Sequence, residues 1–557
     1  RPEIPWRDSS AFTRRRRSTT RRHHCEKADN CHTTGVLKTL VHPRTEWSLV
    51  SVSTPSDDSL TSGDLARPMF ALAWPIVATQ LLQVAYNLAD TLWLGRFSTD
   101  AVAAISLAFP LIFLFISIGG GFNVAGSTLV AQYTGADSAG NAGTVAGQTI
   151  GFLTLIAVTV GIAGYATTTP LLALLPSSPA TAGQVVPLAA EYMRVFFAGL
   201  PFLFGFFVFS SLMRGYGNTR APMLVMALSV FVNVVIDPVL IFGVGPVPRL
   251  GVTGAALATV ISRGIATVIG LYVLLATDAG PTVSLADFRP RYEYVRKIVT
   301  VGVPSAAEQS ASALGFITLT AIVVTFQPEV VAAFGLGNRL VSLVFLPALG
   351  LGRATNTIVG QNLGAGKPDR AERAVWLAVG VATAVMLVVA VGAWLFAEPV
   401  VNLFIATGTD AGAETIRFGG EYLRTRAVEF GFIGLLQVTL GAYRGAGNTT
   451  TALAFSLIAL WVGRVPIVYG LAVVSNFGPA GIWIGMAAGQ ILGAVAAGAW
   501  FTRGTWKEAV IDEQDTGEAS SPGRESGDGE SAPDENSDQD GEFVDTTFLA
   551  GEEEQSE

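Results

Sequence analysis

Charge is what this sequence has least of. Asp, Glu, Lys and Arg together make up 14% of it, where a soluble globular protein carries about a quarter. Half of the residues are apolar. A water-soluble surface cannot be covered from that composition. Cysteine is nearly missing too. Cys25 and Cys31 are the only two, and both precede the first apolar run, so no disulfide framework supports the fold. All four His lie before residue 43. A membrane enzyme would need a His/Asp/Glu constellation at a membrane face, and the His for it are absent, so no enzyme is expected. His23, His24, Cys25, Cys31 and His32 have no zinc-site spacing and read as solvated chain. Gly135-Ala-Asp137 and Gly364-Ala-Gly-Lys367 are short turns without the Walker spacing of a phosphate loop. With no nucleotide-binding domain and no cofactor expected, an ion gradient is the remaining energy source. The chain does not begin with Met, and no apolar leader precedes Gly63, so no secretory signal is expected.

What the chain does contain is apolar runs of about twenty residues or more, each long enough to cross a bilayer as a helix. They predict twelve spans, at 68–94, 101–133, 140–168, 186–213, 220–244 and 252–276, then 295–326, 331–361, 371–398, 415–444, 449–474 and 479–502. The fold class is therefore all-α and polytopic. The domain reading is a tail without fixed structure at 1–66, a first lobe at 67–277, a linker at 278–294, a second lobe at 295–503 and an acidic tail at 504–557. From Val510 onward there are seventeen Asp or Glu against a single Arg, Arg524, with little to bury. The basic run Arg14–Arg17 with Arg21 and Arg22 suits a cytoplasmic tail near anionic lipid better than a nucleic-acid reader. Loops on one side hold Arg220, Arg289, Arg291, Arg296, Lys297, Lys367, Arg370, Arg373 and Lys507, against Arg96 and Arg249 on the other. That bias puts the first side, and both termini, in the cytoplasm. A multi-pass plasma-membrane protein is expected.

The two halves repeat. Pro75 matches Pro304, Gln80 matches Gln309 and Gln132 matches Gln361, each pair 229 apart. Arg214-Gly-Tyr-Gly-Asn-Thr219 matches Arg444-Gly-Ala-Gly-Asn-Thr449, 230 apart, and Glu191/Arg194 matches Glu421/Arg424. Two copies of a six-helix unit point the same way, so a pseudo-two-fold axis along the membrane normal should relate two six-helix lobes. The recurring Glu/Arg pairs read as scaffold salt bridges. The substrate site is expected in the cleft between lobes.

The departures from this repeat carry the chemistry. In the first span Gln80, Gln83, Asn87 and Asp90 are spaced three, four and three, along one stripe of a helix. The amides serve equally well as interhelical glue. Asp90 is different, because a carboxylate in a span is expensive and faces a protein-lined cavity. It aligns with Leu319, and Asp237 of the fifth span aligns with Ile467. The shared scaffold requires neither acid. Asp90, Asn233, Asp237 and Thr259 fall at similar depths in the outer half of the membrane, so they can meet in one pocket suited to H⁺ or Na⁺. Pro75 is a candidate bending point, since its ring removes a helix hydrogen bond. Glu308 faces the cleft to attract cations, or pairs with an Arg such as Arg353 or Arg464.

Pro75 with Tyr86-Asn-Leu-Ala-Asp90-Thr-Leu-Trp-Leu-Gly95, Asn233-Val-Val-Ile-Asp237-Pro238 and Val359-Gly-Gln-Asn-Leu-Gly-Ala-Gly-Lys-Pro368 together resemble the multidrug and toxic compound extrusion (MATE) family. The resemblance covers about residues 65–506 and is nearest the prokaryotic, DinF-like branch. It implies an H⁺ or Na⁺ site at Asp90, Asn233, Asp237 and Thr259, a first span that bends at Pro75, and a substrate path bordered by Gln83, Tyr86, Asn87 and Met226. The branch with a second-lobe ion site has a Glu where this chain has Ser312. The expected protein is a monomeric, cation-coupled antiporter in the bilayer that exports cationic or amphipathic small molecules and binds no nucleic acid. The alternative is a lipid-linked oligosaccharide flippase, which would need a more basic central cleft.

Overall fold

The computed structural model describes residues 58–173, 179–405 and 409–511. Residues Val52–Glu557 form one compact unit; the other, Arg1–Ser51, lies outside the described residues, as do the His/Cys group and the Arg run of the N-terminal tail. Among the described residues almost all are helical and no strand occurs. The first half contains α1 (Ala66–Phe97), α2 (Thr99–Gly135), α3 (Ala139–Ala173), α4 (Pro179–Ala198), α5 (Leu200–Tyr216), α6 (Arg220–Phe242) and α7 (Val252–Ala276). The second contains α8 (Tyr292–Val323), α9 (Pro328–Val344), α10 (Leu346–Gly364), α11 (Pro368–Leu395), α12 (Asp410–Ala427), α13 (Phe430–Gly445), α14 (Thr449–Val474) and α15 (Gly478–Phe501).

Among the described residues, nine single helices are long and apolar enough to cross a membrane. Two bent pairs add two more spans: α4 with α5, bent by 53°, and α9 with α10, bent by 43°. Each bend precedes a proline, Pro201 or Pro347, at the start of the second helix. The twelfth expected span is the pair α12–α13, which occupies the same place in the repeat as α4–α5. Its first leg is too charged to qualify as apolar. Most of those charges lie half exposed, with Arg417 paired to Glu414 at 3.2 Å and to Glu421 at 2.9 Å, whereas Arg426 is buried against Glu429 at 2.6 Å. The expected Glu421/Arg424 and Glu191/Arg194 pairs are replaced by other partners. Arg424 reaches Glu398 at 2.8 Å, Glu191 accepts from Thr253 and Arg194 donates to Thr169. Neighbouring helices present those groups closer than the next turn does. α1 runs unbroken through Pro75, and the Thr79 hydroxyl donates to the Pro75 carbonyl at 2.7 Å.

The halves meet where α2 packs on α8 and α10, and α1 packs on α10. At one end of the bundle the contact is reciprocal. Thr128 and Gln132 of α2 donate to the carbonyls of Arg444 and Gly445, at 2.8 and 3.0 Å. Thr357 and Gln361 of α10 donate to the carbonyls of Arg214 and Gly215, at 3.0 and 3.1 Å. Each copy thus satisfies the last-turn carbonyls of the other, groups that a helix end leaves without partners. Gly135 lies directly on the Gln361 carbonyl and Gly364 on the Gln132 carbonyl, so a Cβ at either position would overlap backbone.

The chain segments flanking the bundle are fixed at this same end. Lys367 and Arg370 donate to the carbonyls of Thr61 and Gly63, at 3.1 and 2.9 Å, and Asn362 donates to that of Leu60 at 3.1 Å. Val510 N–H donates to Gln132 at 2.9 Å, and Trp506 is buried against Phe501 at 4.6 Å. The tails read from sequence as 1–66 and 504–557 are therefore structured over 58–66 and 504–511, because Leu60 and Trp506 have apolar surface to bury. Their remaining residues lie outside those described. Between the halves, Gln148 of α3 holds the linker, donating to the Arg289 carbonyl at 2.7 Å and accepting from Arg291 N–H at 3.0 Å. Burial works against the Asp287 charge there, but donors from Ser284 and Thr144 outweigh it and hold the carboxyl below its usual range.

Gly135→Val should cost about 1–3 kcal/mol, the range for forcing atoms into a filled contact. Thermal unfolding of the purified protein checks this. Gly140→Ala, which meets nothing within 4 Å, should leave the midpoint unchanged.

Candidate ion pocket and central cavity

The first-half carboxylates converge. α6 carries Asn233 and Asp237 one turn apart, both fully buried, with the Asn233 amide donating to Asp237 Oδ1 at 3.2 Å. α1 brings Asp90 beside Asp237 and Asn233, where it interacts with both. α7 delivers Thr259 beside the buried Tyr86 hydroxyl. Four buried oxygens in this pocket have no hydrogen-bond partner: Asp90 Oδ1, Asn233 Oδ1, Asp237 Oδ2 and Thr259 Oγ1. Each such orphan costs about 1–3 kcal/mol, more when charged. A bound cation or proton between them would supply what the protein does not. All four donors are hard oxygens, the type that suits H⁺ or Na⁺.

One charged residue of this region escapes a reading centred on acids and loops. Arg263 of α7 is only 3% exposed. Its Nη2 donates to Gln83 at 2.7 Å and its Nη1 lies 2.9 Å from the Met226 sulfur. Its guanidinium stacks on Tyr86 and Phe206, with centroid distances of 4.8 and 5.1 Å, and it interacts electrostatically with Asp90. The repeat places Gly493 at the equivalent position. The signal was present: an Arg in mid-span breaks the same rule that singles out Asp90.

Arg263 connects the pocket to a cavity of about 360 Å³ between the halves. Gln83 and Met226 line that cavity. Tyr86 and Asn87 do not. Tyr86 is buried beneath Arg263, and Asn87 accepts from Gln83 at 3.0 Å. Glu308 also stands behind the wall. It is held by Arg444, Nη2 to Oε1 at 2.6 Å and Nε to Oε2 at 3.2 Å, and takes a third bond from Ser456. The partner is thus Arg444 rather than Arg353 or Arg464, and Glu308 is not free to attract cargo. The charged residues that line the cavity are Arg214, Arg353 and Arg444, with no Asp or Glu among its lining residues. The expectation of cationic cargo therefore finds no carboxylate in this wall.

Removing Arg263 alone leaves Asp90 without the buried cation it interacts with. Arg263→Met should cost about 1–3 kcal/mol, since it leaves the Gln83 oxygen without its donor and removes the cation that interacts with Asp90. Adding Asp90→Asn should recover part of that loss. Thermal unfolding of the single and double variants measures the coupling.

Comparison with known proteins agrees with this architecture. The MatE family profile matches twice, at residues 75–239 and 304–469. The probable multidrug resistance protein YpnP of Bacillus subtilis is 30% identical over 449 residues, which cover 80% of this chain and 97% of that protein. The FAD transporter of Shewanella oneidensis is 26% identical, covering 73% of this chain and 88% of its own. Among solved structures, a MATE protein in complex with MaL6 superposes with a TM-score of 0.75 at 28% identity, over 82% of this chain and 99% of that one. A family domain present twice, and relatives matched over nearly their whole length, place this multi-pass membrane protein in the MATE family of multidrug-type transporters, not among enzymes.

Proposed function

We propose that the protein is a secondary antiporter of the plasma membrane that exports amphipathic organic compounds in exchange for H⁺ or Na⁺. The ion binds among Asp90, Asn233, Asp237 and Thr259. The observation that carries this reading is the set of four unpartnered buried oxygens on three different helices. The basic loops put both termini in the cytoplasm. One chain supplies both halves of the cavity, so a monomer suffices.

The coupling follows from what Arg263 touches. Without an ion, its positive charge answers the carboxylates while its Nη2 fixes Gln83 in the cavity wall. An arriving cation takes over part of that electrostatic role. Arg263 and Gln83 are then held less firmly, and the cargo side of α1 changes when the ion side does. α1 can respond as a unit below Asp90 and flex at Pro75, where proline removes one backbone hydrogen bond. A ligand shifts such a two-state element only by its differential affinity for the two states, and one elementary charge in a pocket of low dielectric supplies that difference.

The names of the relatives support a small-molecule cargo: multidrug resistance for one, FAD for another. The flippase alternative would use the same basic cavity, but both halves match the MatE profile.

Asp90→Asn should abolish efflux driven by an imposed pH or Na⁺ gradient in vesicles of purified protein, while the variant still inserts and folds. Asp237→Asn should lose at least tenfold in the same assay. Gradient-driven transport at the parent rate by Asp90→Asn would remove the coupling site from this position.

A further inference from the structure

The repeat that exposes the ion pocket also exposes an imbalance in the cavity. In the second half Arg444 is neutralised by Glu308 and Ser456. Their counterparts in the first half are Thr79 and Met226, 229 and 230 residues earlier. Neither can answer a positive charge. Thr79 spends its hydroxyl on the Pro75 carbonyl. Arg214, the counterpart of Arg444, therefore lines the cavity with the Ser210 hydroxyl as its only side-chain acceptor among the described residues. Opposite it stands Arg353, whose counterpart is Val124 and whose acceptor is the Gln80 amide oxygen at 3.1 Å. Among the described residues neither Arg has a carboxylate within ion-pair distance, and the two repel one another across the space. Two partly buried guanidinia facing one cavity without counter-ions are costly in themselves. A guanidinium offers a planar fork of donors that fits carboxylate and phosphate oxygens in pairs.

We propose that Arg214 and Arg353 form a binding site for the anionic group, phosphate or carboxylate, of an amphipathic substrate. This deepens the antiporter reading and rests on it. The anion sits between the two guanidinia, near the level of Gln80. The apolar part of the same molecule lies along Ile116, Phe206, Phe207, Leu349 and Met226, apolar side chains of the same wall. Thr79 and Gln80, a little over one turn from Pro75, put the anion against the part of α1 most able to move. The asymmetry has a plain consequence for selectivity. A cationic compound of the same shape meets two positive charges and gains no carboxylate, whereas an anionic one removes a repulsion already present.

The test uses the full-length protein in detergent and two dyes with one xanthene core and opposite charge, fluorescein and rhodamine 6G. Fluorescein should bind at least tenfold more tightly. Arg353→Gln and Arg214→Gln should each weaken fluorescein binding at least tenfold and leave rhodamine 6G unchanged or tighter. Arg→Gln variants that fail to fold are covered by Thr79→Glu, which gives Arg214 the counter-ion that Arg444 already has and should likewise weaken fluorescein at least tenfold. Tighter binding of rhodamine 6G by the parent protein, or unchanged fluorescein binding in Thr79→Glu, overturns the proposal. Lipid nanodiscs with and without phosphatidylglycerol separate the two sources of such an anion. Unchanged fluorescein affinity in both supports a soluble substrate. Displacement of the dye by the anionic lipid places a lipid headgroup between the same arginines. Asp90→Asn separates this site from the ion pocket. Gradient-driven efflux by that variant reads the ion pocket, and dye binding by the two Arg→Gln variants reads the arginine pair, so failure of either reading leaves the other measurable.

Discussion

A charged side chain inside a membrane helix survives only where other protein groups replace the water it has lost. That constraint organises the first half of this molecule. Asp90 and Asp237 are set against each other, with Asn233 donating to one carboxyl and Arg263 close to the other. Arg263 is in turn cushioned by the faces of Tyr86 and Phe206, which suit a weakly hydrated planar cation. The compensation is incomplete, since four oxygens remain unpartnered. A scaffold built for stability alone would have hydrocarbon here, as the second half does at Leu319 and Ile467.

The asymmetry is affordable because it is kept away from the junction between halves. The groups that join the two copies are the ones that repeat most faithfully: Thr128 and Thr357, Gln132 and Gln361, Gly135 and Gly364, and the Arg-Gly turns they bind. Those four hydrogen bonds across the junction form two twin pairs. The contact is tight at one end of the bundle, where glycine lets backbone touch backbone. Farther along the helices the copies diverge in charge, and there the cavity opens between them.

The sequence revealed the scaffold more fully than the partnerships. The apolar runs and the 229–230 offset disclosed the spans and the repeat, since bilayer thickness and duplication both act over many residues. Asp90 and Asp237 were legible because an acid in an oily run is rare. Arg263 obeys the same logic but sits inside Ile261-Ser262-Arg263-Gly264, a stretch whose neighbours read as ordinary span. The partner of Glu308 could not be read at all. The spans offered Arg353 or Arg464, and only the packing of α13 against its neighbours selects Arg444. The bends in α4–α5 and α9–α10 have prolines to announce them, yet Pro75 and Pro110 leave α1 and α2 unbroken. A proline permits a bend, and tertiary contacts decide whether it occurs.

The charges of pocket and cavity also bear on energetics. An antiporter that exports a monovalent cation for one H⁺ or Na⁺ moves no net charge, so only the concentration gradient of the coupling ion drives it. Export of an anion against uptake of the same ion moves two charges in the favourable sense when the cell interior is negative. Each elementary charge crossing the whole membrane contributes about 2.3 kcal/mol per 100 mV. A cavity that selects anions would therefore draw on the electrical part of the gradient as well as the chemical part. Arg214 and Arg353 would then do more than choose the cargo. By fixing the sign of what leaves, they would fix how much work one entering ion can perform.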